Sequence, residues 1–210
     1  MRVALGWKAH SGWAALVALG GDARAPALIE RARVELVPED GAEWAKQPYH
    51  AAEGLEPEDA REVVARGVAS AQRLAREALR AARDRCAAAG HELCGCGVLV
   101  GRGMPAWSTD EILAVHFRMH QAEGELFRDA LVAGASACAL ALTALPDKSA
   151  FEAAAQALGC TRARLEATVA ALGKVAGAPW GKDQKDAAAA ALVALGSAAS
   201  SARRARAPRT

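Results

Sequence analysis

The sequence lacks the cysteine pattern of a structural zinc site or of a disulfide framework. Its five cysteines are an odd set, and none of them forms the C-x-x-C pair typical of such zinc sites. No run of roughly 18 apolar residues occurs, so no segment is suited to span a membrane. An uninterrupted apolar signal peptide is also missing, because Lys8, His10 and Ser11 break the first apolar stretch. We therefore expect a cytoplasmic protein without a membrane partner.

The sequence also has no large excess of positive or negative charge. The formal net charge is +2, so no overall field indicates a polyanion partner. One local concentration of arginines lies near the end of the chain and can contact phosphates or serve only as a solubilising tail. Its members are Arg203, Arg204, Arg206 and Arg209. Because 210 residues suit one domain with a sizeable core, we expect a single domain over residues 1–202 and a basic, flexible tail over 203–210.

Hydrophobic periodicity predicts an α/β fold. Three apolar runs joined by short turns predict an antiparallel meander, and later strands alternate with helices. The predicted strands cover residues 3–8, 13–19, 27–37, 94–100 and 140–145, and the predicted helices cover 57–89, 108–137, 148–158, 161–173 and a last segment from 182. The order β-β-β-α-β-α-β-α, with extra helices before the C-terminal one, predicts a five-stranded mixed sheet with helices on its faces. Residues 38–55 are predicted to be an irregular loop.

Two carboxylates open the last predicted helix. Asp183 and Asp186 are three residues apart, and an alanine-leucine run over residues 187–195 follows them. At this spacing both side chains can lie on one helical face near the N-terminal dipole, which stabilises anions and suits a divalent metal site. Aspartate is also favoured in an ordinary solvated first turn, so the pair alone leaves both interpretations open.

The element order is similar to that of the ribonuclease H-like fold, and the last helix is similar to that of RuvC-type Holliday-junction resolvases. In that family the final helix carries an Asp/His-x-x-Asp motif running into alanines, matched here by Asp183, Asp186 and the alanines from Ala187. Residues 3–13 also resemble the first strand and turn of the family. The resemblance implies a three-layer fold and a nuclease that acts on nucleic acid with Mg²⁺ or Mn²⁺. Asp183 and Asp186 would be its catalytic metal ligands, assisted by His10.

Two positions depart from the family pattern. Family members place an acidic metal ligand at the end of the first strand, where this chain has Trp7, Lys8 and His10. A second acidic ligand belongs at the end of the fourth strand, where residues 101–103 are Gly-Arg-Gly. A two-metal mechanism needs several carboxylates, and the positive charge of Lys8 disfavours a metal ion. The acidic site implied by the resemblance is therefore incomplete.

A second set of metal ligands lies on the predicted helix after the fourth strand. His116, His120 and Glu123 are spaced i, i+4 and i+7, so two nitrogens and one oxygen can project from one helical face toward a metal. Helical histidines also pack or face solvent without binding a metal. His50, in the predicted loop, either packs on the sheet beside Tyr49 or folds over the cleft toward the acidic pair.

Lys8, Ser11 and Arg102 form a candidate anion site at strand ends that are expected to be neighbours. Lysine, arginine and backbone amides suit an anion such as phosphate. Asp183 and Asp186 would then pair with Lys8 and Arg102. Polar residues at strand ends are also common in plain loops, so this site is one of two interpretations.

Three functions are compatible with the sequence. The first, favoured by the resemblance, is a divergent metal-dependent nuclease. The second is a catalytically inactive module that binds nucleic acid or a protein partner through Lys8, Arg102 and the arginine tail. The third is an oligomeric scaffold, such as a homodimer, in which the alanine-rich helices supply the interface. The first predicts metal-dependent cleavage, the second predicts salt-sensitive binding without cleavage, and the third predicts a dimer that forms without ligand.

Overall fold

A five-stranded mixed sheet forms the centre of the protein. The computed structural model describes residues 1–40 and 42–206, with side chains up to residue 198. The strands are β1 (Arg2–His10), β2 (Trp13–Asp22), β3 (Ala25–Glu35), β4 (Glu92–Val100) and β5 (Leu142–Pro146), in the sheet order β3-β2-β1-β4-β5. The first three strands are antiparallel, and β4 and β5 add in parallel to β1. The predicted α/β fold with a mixed sheet is confirmed.

Helices cover both faces of this sheet, which gives three layers. They are α1 (Glu43–Lys46), α2 (Pro48–Ala51), α3 (Pro57–Ala88), α4 (Thr109–Leu113), α5 (His116–Ala137), α6 (Ala150–Leu158), α7 (Arg162–Ala176) and α8 (Lys182–Arg206). α3 and α5 enclose one hydrophobic core against the sheet. α6, α7 and α8 enclose a second core on the opposite face. Within the described chain, no helix combines the length and apolar character needed to cross a membrane.

Two predicted segments differ from the structure. The predicted helix over 108–137 is divided into α4 and α5, because Val115 has an extended backbone with φ −140° and ψ 109°. The predicted loop over 38–55 contains the short helices α1 and α2. At the C-terminus α8 continues to Arg206. The basic side chains of the predicted tail over 203–210 lie outside the described residues.

Helix α8 is in direct backbone contact with the sheet because glycine faces alanine there. Gly6 of β1 and Gly97 of β4 are paired neighbours. A Cβ on Gly6 would lie 1.8 Å from the carbonyl oxygen of Ala187, and a Cβ on Gly97 would lie 2.3 Å from that of Ala190. The helix residues from 187 to 192 are fully buried. The absent side chains therefore set how closely α8 approaches and where its first turn lies.

The alanine-rich helix faces are used within the chain. The alanines of the first half of α8, residues 187–191 and 194, are buried in the core against the sheet, and Ala71, Ala75 and Ala82 of α3 are buried in the core shared with α5. These alanines are therefore not open surfaces. An interface between copies of the chain would have to use other residues.

Replacing Gly97 by alanine should strongly destabilise the protein. The new Cβ would lie 2.3 Å from the backbone of Ala190, so α8 would have to move away from the sheet. We expect a loss of about 3 kcal/mol or more in the free energy of unfolding. Gly95→Ala is the matched control, because it lies on the same strand and its Cβ would meet nothing closer than 3.4 Å. Urea denaturation measures the free energy of unfolding of the two variants. Equal values for Gly97→Ala and Gly95→Ala would contradict the proposed contact.

Candidate functional site

The first strand carries two basic side chains to the carboxyl end of the parallel strands. Trp7 faces the core under α3 and α5, so the alternation of a strand turns Gly6, Lys8 and His10 toward α8. A two-residue turn, with Gly12 at φ +85°, then leads into β2. Lys8 is only 6% exposed, whereas His10 is half-buried. The strand end at which the family pattern has an acidic ligand thus holds a buried ammonium group, as the sequence indicated.

The two predicted carboxylates lie beside this strand end. The Oδ1 atom of Asp183 is 2.9 Å from Nε2 of His10, an ion-pair distance, although the two atoms are not aligned as a hydrogen bond. Asp186 is 4% exposed, and its carboxylate accepts a hydrogen bond from the ammonium group of Lys182 one turn earlier. Lys182 itself is mostly exposed. Each predicted metal ligand is therefore already paired with a basic side chain.

Asp147, directly after β5, is the centre of an ion network that the sequence did not indicate. Its Oδ1 atom accepts a hydrogen bond from the ammonium group of Lys8, and its Oδ2 atom lies 2.9 Å from Nη2 of Arg128. Arg128 also lies 3.6 Å from a carboxylate oxygen of Glu125. Lys8 therefore pairs with Asp147, where the sequence had suggested Asp183 or Asp186.

The charges of this network keep Asp147 ionised. Burial raises the pKa of Asp147, but the hydrogen bond and charge of Lys8, with the charges of Arg128 and Lys182, outweigh burial and hold the pKa below its ordinary value. The hydrogen bond to Asp186 raises the pKa of Lys182. Both groups are consequently charged near neutral pH.

A fourth carboxylate enters the site from α5. Gly101, directly after β4, has no side chain, and a Cβ there would lie 1.8 Å from an oxygen of Glu125. Glu125 is 9% exposed. The family resemblance implies an acidic residue at the end of the fourth strand. Here the strand end is glycine, and the space beside it holds a carboxylate that a helix supplies.

The residues present do not fit the two divalent cations implied by the resemblance. Such cations need carboxylate oxygens that are free to coordinate them. Here Lys8 places a fixed positive charge beside the end of β1, and Asp147 and Asp186 already accept hydrogen bonds from lysines. Coulomb repulsion by the buried ammonium further disfavours a cation. The site is better described as a neutralised acidic cluster.

A cleft of about 320 Å³ opens beside the network. Lys8, His10 and Ser11 line it from the first strand and turn. Glu123 and Arg128 line it from α5, and Asp147 lines it from the end of β5. Arg102 is exposed and does not line the cleft. Two members of the predicted anion site, Lys8 and Ser11, thus share the cleft.

The predicted metal ligands of α5 belong to a separate cluster. His116 and His120 converge on His50 of α2, and Asp183 and Asp186 are not part of this group. Glu123 hydrogen-bonds the Nδ1 atom of His50 at 2.7 Å. The i, i+4 spacing indicated the two histidines of α5. No local signal joined His50 to them, since α2 falls in a segment predicted to be irregular.

The strand order and the pairing directions agree with the ribonuclease H-like three-layer fold that the sequence resemblance implies. Among solved structures, the chain is similar to the Thermus thermophilus RuvC structure, with 14% identity over 91% of this chain and 92% of that chain and a TM-score of 0.46. It is also similar to T. thermophilus RuvC in complex with Holliday junction substrate, with 15% identity over 92% of each chain and a TM-score of 0.47. No protein-family model and no curated protein matches the sequence.

Replacing Asp147 by asparagine should destabilise the protein at neutral pH, because Lys8 and Arg128 lose their shared anionic partner. Breaking a buried ion pair costs on the order of 3 kcal/mol. Since the pKa of Asp147 is lowered on folding, its stabilising effect is complete above its ordinary value of 3.8 and is lost as the pH falls through the folded value. Urea denaturation at several pH values should show the difference from wild type shrinking below about pH 4.

The matched control for this prediction is Asp110→Asn. Asp110 also has a lowered pKa, owing to its hydrogen bond with Arg61, but both side chains are 53% exposed. The control should cost much less stability than Asp147→Asn, because solvent screens an exposed ion pair. A difference between wild type and Asp147→Asn that stays constant from neutral to acid pH would contradict the assigned role of the Asp147 charge.

Proposed function

We propose that this protein binds nucleic acid at the carboxyl end of its parallel strands without performing two-metal hydrolysis. The observation that carries the proposal is the buried ammonium group of Lys8, held by Asp147 beside the end of β1. A lysine cannot leave this position as a metal ion can. The charge that a cation would supply in a nuclease is therefore built into the chain.

The pairing of the remaining carboxylates supports the same conclusion. Asp186 is bonded to Lys182, Asp183 faces His10, and Glu125 lies near Arg128. A divalent ion would have to displace these basic groups and bear the repulsion of the ones that stay. The cluster is consequently suited to fixing the helix start, and not to activating water.

Exposed cations around the same edge support binding of a polyanion. Val100 and Pro146 are paired at the ends of β4 and β5, and Arg102 and Lys148, both exposed, each follow two residues later. Lys182 is exposed at the start of α8. Lysine and arginine attract phosphates without requiring a particular base sequence. We infer a sequence-independent contact with the backbone of a structured or single-stranded nucleic acid.

Arg102→Glu with Lys148→Glu should weaken this binding. Losing two phosphate contacts should reduce affinity at least about tenfold and make the slope of log affinity against log salt less steep by about 2. Fluorescence anisotropy over a range of salt concentrations measures the affinity and its salt dependence. The labelled ligands are a four-way DNA junction and single-stranded DNA. Arg76→Glu with Arg80→Glu is the matched control, since these exposed arginines lie on α3. Equal losses in both variants would sink the assignment of the edge.

The divergent nuclease is the second candidate, favoured by the convergence of several carboxylates. A cleavage assay separates the binding function from the nuclease. Its substrates are the same junction, single-stranded DNA and RNA, each incubated with Mg²⁺ or Mn²⁺. We expect background products from wild type and from the Asp183→Asn, Asp186→Asn double variant alike. Cleavage by wild type that the double variant loses would overturn the proposal and establish the nuclease.

Lys8→Asp should create a magnesium site where wild type has none. The substitution replaces an ammonium group by a carboxylate next to Asp147, so oxygen ligands gain an excess of negative charge. Mg²⁺ at ten times its Kd should then stabilise the variant by about 1.4 kcal/mol. Thermal unfolding with and without Mg²⁺ is the measurement, and Lys8→Met, which removes the charge without adding a ligand, is the control. Equal stabilisation of wild type and Lys8→Asp would show that Lys8 does not block a cation.

A further inference from the structure

We propose that His50, His116 and His120 bind a divalent transition-metal ion of the zinc class, and that Glu123 positions His50 for it. This inference concerns a different group of residues from the acidic cluster. It does not depend on whether the protein binds nucleic acid.

The three imidazoles converge on one point. One ligand nitrogen from each ring can be chosen so that all three lie within 4.8 Å of one another. On α5, the Nε2 atoms of His116 and His120 are 3.1 Å apart, and the ring of His50 lies 4.6 Å from that of His120 between centroids. Nitrogens this close can share one ion after small adjustments of the rings, because zinc–nitrogen bonds are about 2.0–2.1 Å long.

Glu123 supplies the carboxylate partner that metal-binding histidines usually have on their other ring nitrogen. It is 7% exposed, and its Oε2 atom accepts from the Nδ1 atom of His50 at 2.7 Å. Its other oxygen accepts from the backbone N–H of His50 at 3.1 Å. A carboxylate on Nδ1 fixes the tautomer, orients the ring and leaves Nε2 as the metal ligand.

A second carboxylate stands behind His116. An oxygen of Glu53 lies 3.7 Å from the Nδ1 atom of His116, while the Nε2 atom of the same ring faces His120. Two of the three histidines therefore have a carboxylate on the Nδ1 side, within hydrogen-bond distance for His50 and at ion-pair distance for His116. This arrangement leaves the Nε2 atoms as the metal ligands.

The position of the cluster at the start of α5 does not exclude a cation. A helix N-terminus disfavours positive charge only modestly, and solvent screens the effect. Coordination by imidazole nitrogens contributes far more, so the dipole is the smaller effect. The carboxylates of Glu53 and Glu123 oppose the dipole as well. The local field therefore leaves metal binding favourable.

The donor set selects the class of metal. Imidazole nitrogens suit zinc and its neighbours, whereas Mg²⁺ prefers oxygen ligands. Three protein ligands leave one tetrahedral position open, and His116, whose side chain is 61% exposed, borders solvent. The open position can hold water or an external ligand. Binding would also tie α2 to α5, since His50 belongs to α2 and the other two ligands to α5.

Titration of the full chain with Zn²⁺ and then with Co²⁺ tests the site. Isothermal titration calorimetry should give one Zn²⁺ per chain for wild type, and His116→Ala with His120→Ala should abolish it. Glu123→Gln should weaken binding by about 10–100-fold, because His50 loses the carboxylate that orients its ring. Thermal unfolding of each variant in a chelator checks that the variant folds. His91→Ala is the matched control, because it removes a histidine outside the cluster.

Cobalt identifies the ligands independently of affinity. The Co²⁺ protein should show the visible absorption of a tetrahedral site without a thiolate charge-transfer band. Alkylating the cysteines that react in the folded protein, where Cys86 and Cys96 are buried, should not change the spectrum. A thiolate band, or a zinc stoichiometry that the double histidine variant retains, would overturn the proposal. Absence of Zn²⁺ binding in wild type would overturn it too, and neither result would affect the nucleic-acid proposal, whose readout is anisotropy.

Discussion

The close contact between α8 and the sheet is the constraint on which the rest of the site depends. Gly6 and Gly97 leave no side chain between the strands and the backbone of α8, and the buried residues of the helix that face them are alanines. The first turn of α8 is therefore held at the end of β1. Asp183 meets His10 because the backbone contact places it there, whereas Asp186 pairs with Lys182 of the same helix. Packing therefore sets the position of the helix start, and the ion pairs form within it.

An internal cation changes what such an acidic site can do. Transferring a lone ammonium group out of water is costly, and the cost is offset only when carboxylates surround it. Lys8 has such a partner in Asp147, which also binds Arg128. These basic groups reduce the excess negative charge that attracts divalent metals. Lys8 thus supplies part of the positive charge that a metal ion would otherwise bring, and as a side chain it stays in place.

Much of the fold could be predicted from local sequence, because strand alternation, turn residues and the spacing of Asp183 and Asp186 are local signals. Long-range partners could not be predicted in this way. Lys8 and Asp147 are 139 residues apart, and His50 is 73 residues from Glu123. The helix break at Val115 was missed because neither glycine nor proline marks it. Glu125 was missed because its place depends on the missing side chain of Gly101.

The cleft beside the acidic cluster and the histidine cluster have Glu123 in common, and this residue connects them electrostatically. Glu123 lines the cleft beside Lys8 and also holds His50. A divalent ion at the histidines would add positive charge near Glu123 and neutralise part of the Glu123 charge facing the cleft. An anion in the cleft and a cation at the histidines should therefore favour each other, and thermodynamic linkage makes any such effect reciprocal. Because Coulomb energy falls with distance and with solvent screening, the coupling would be strongest for a phosphate held deep against Arg128 and weak for one bound only at the exposed edge.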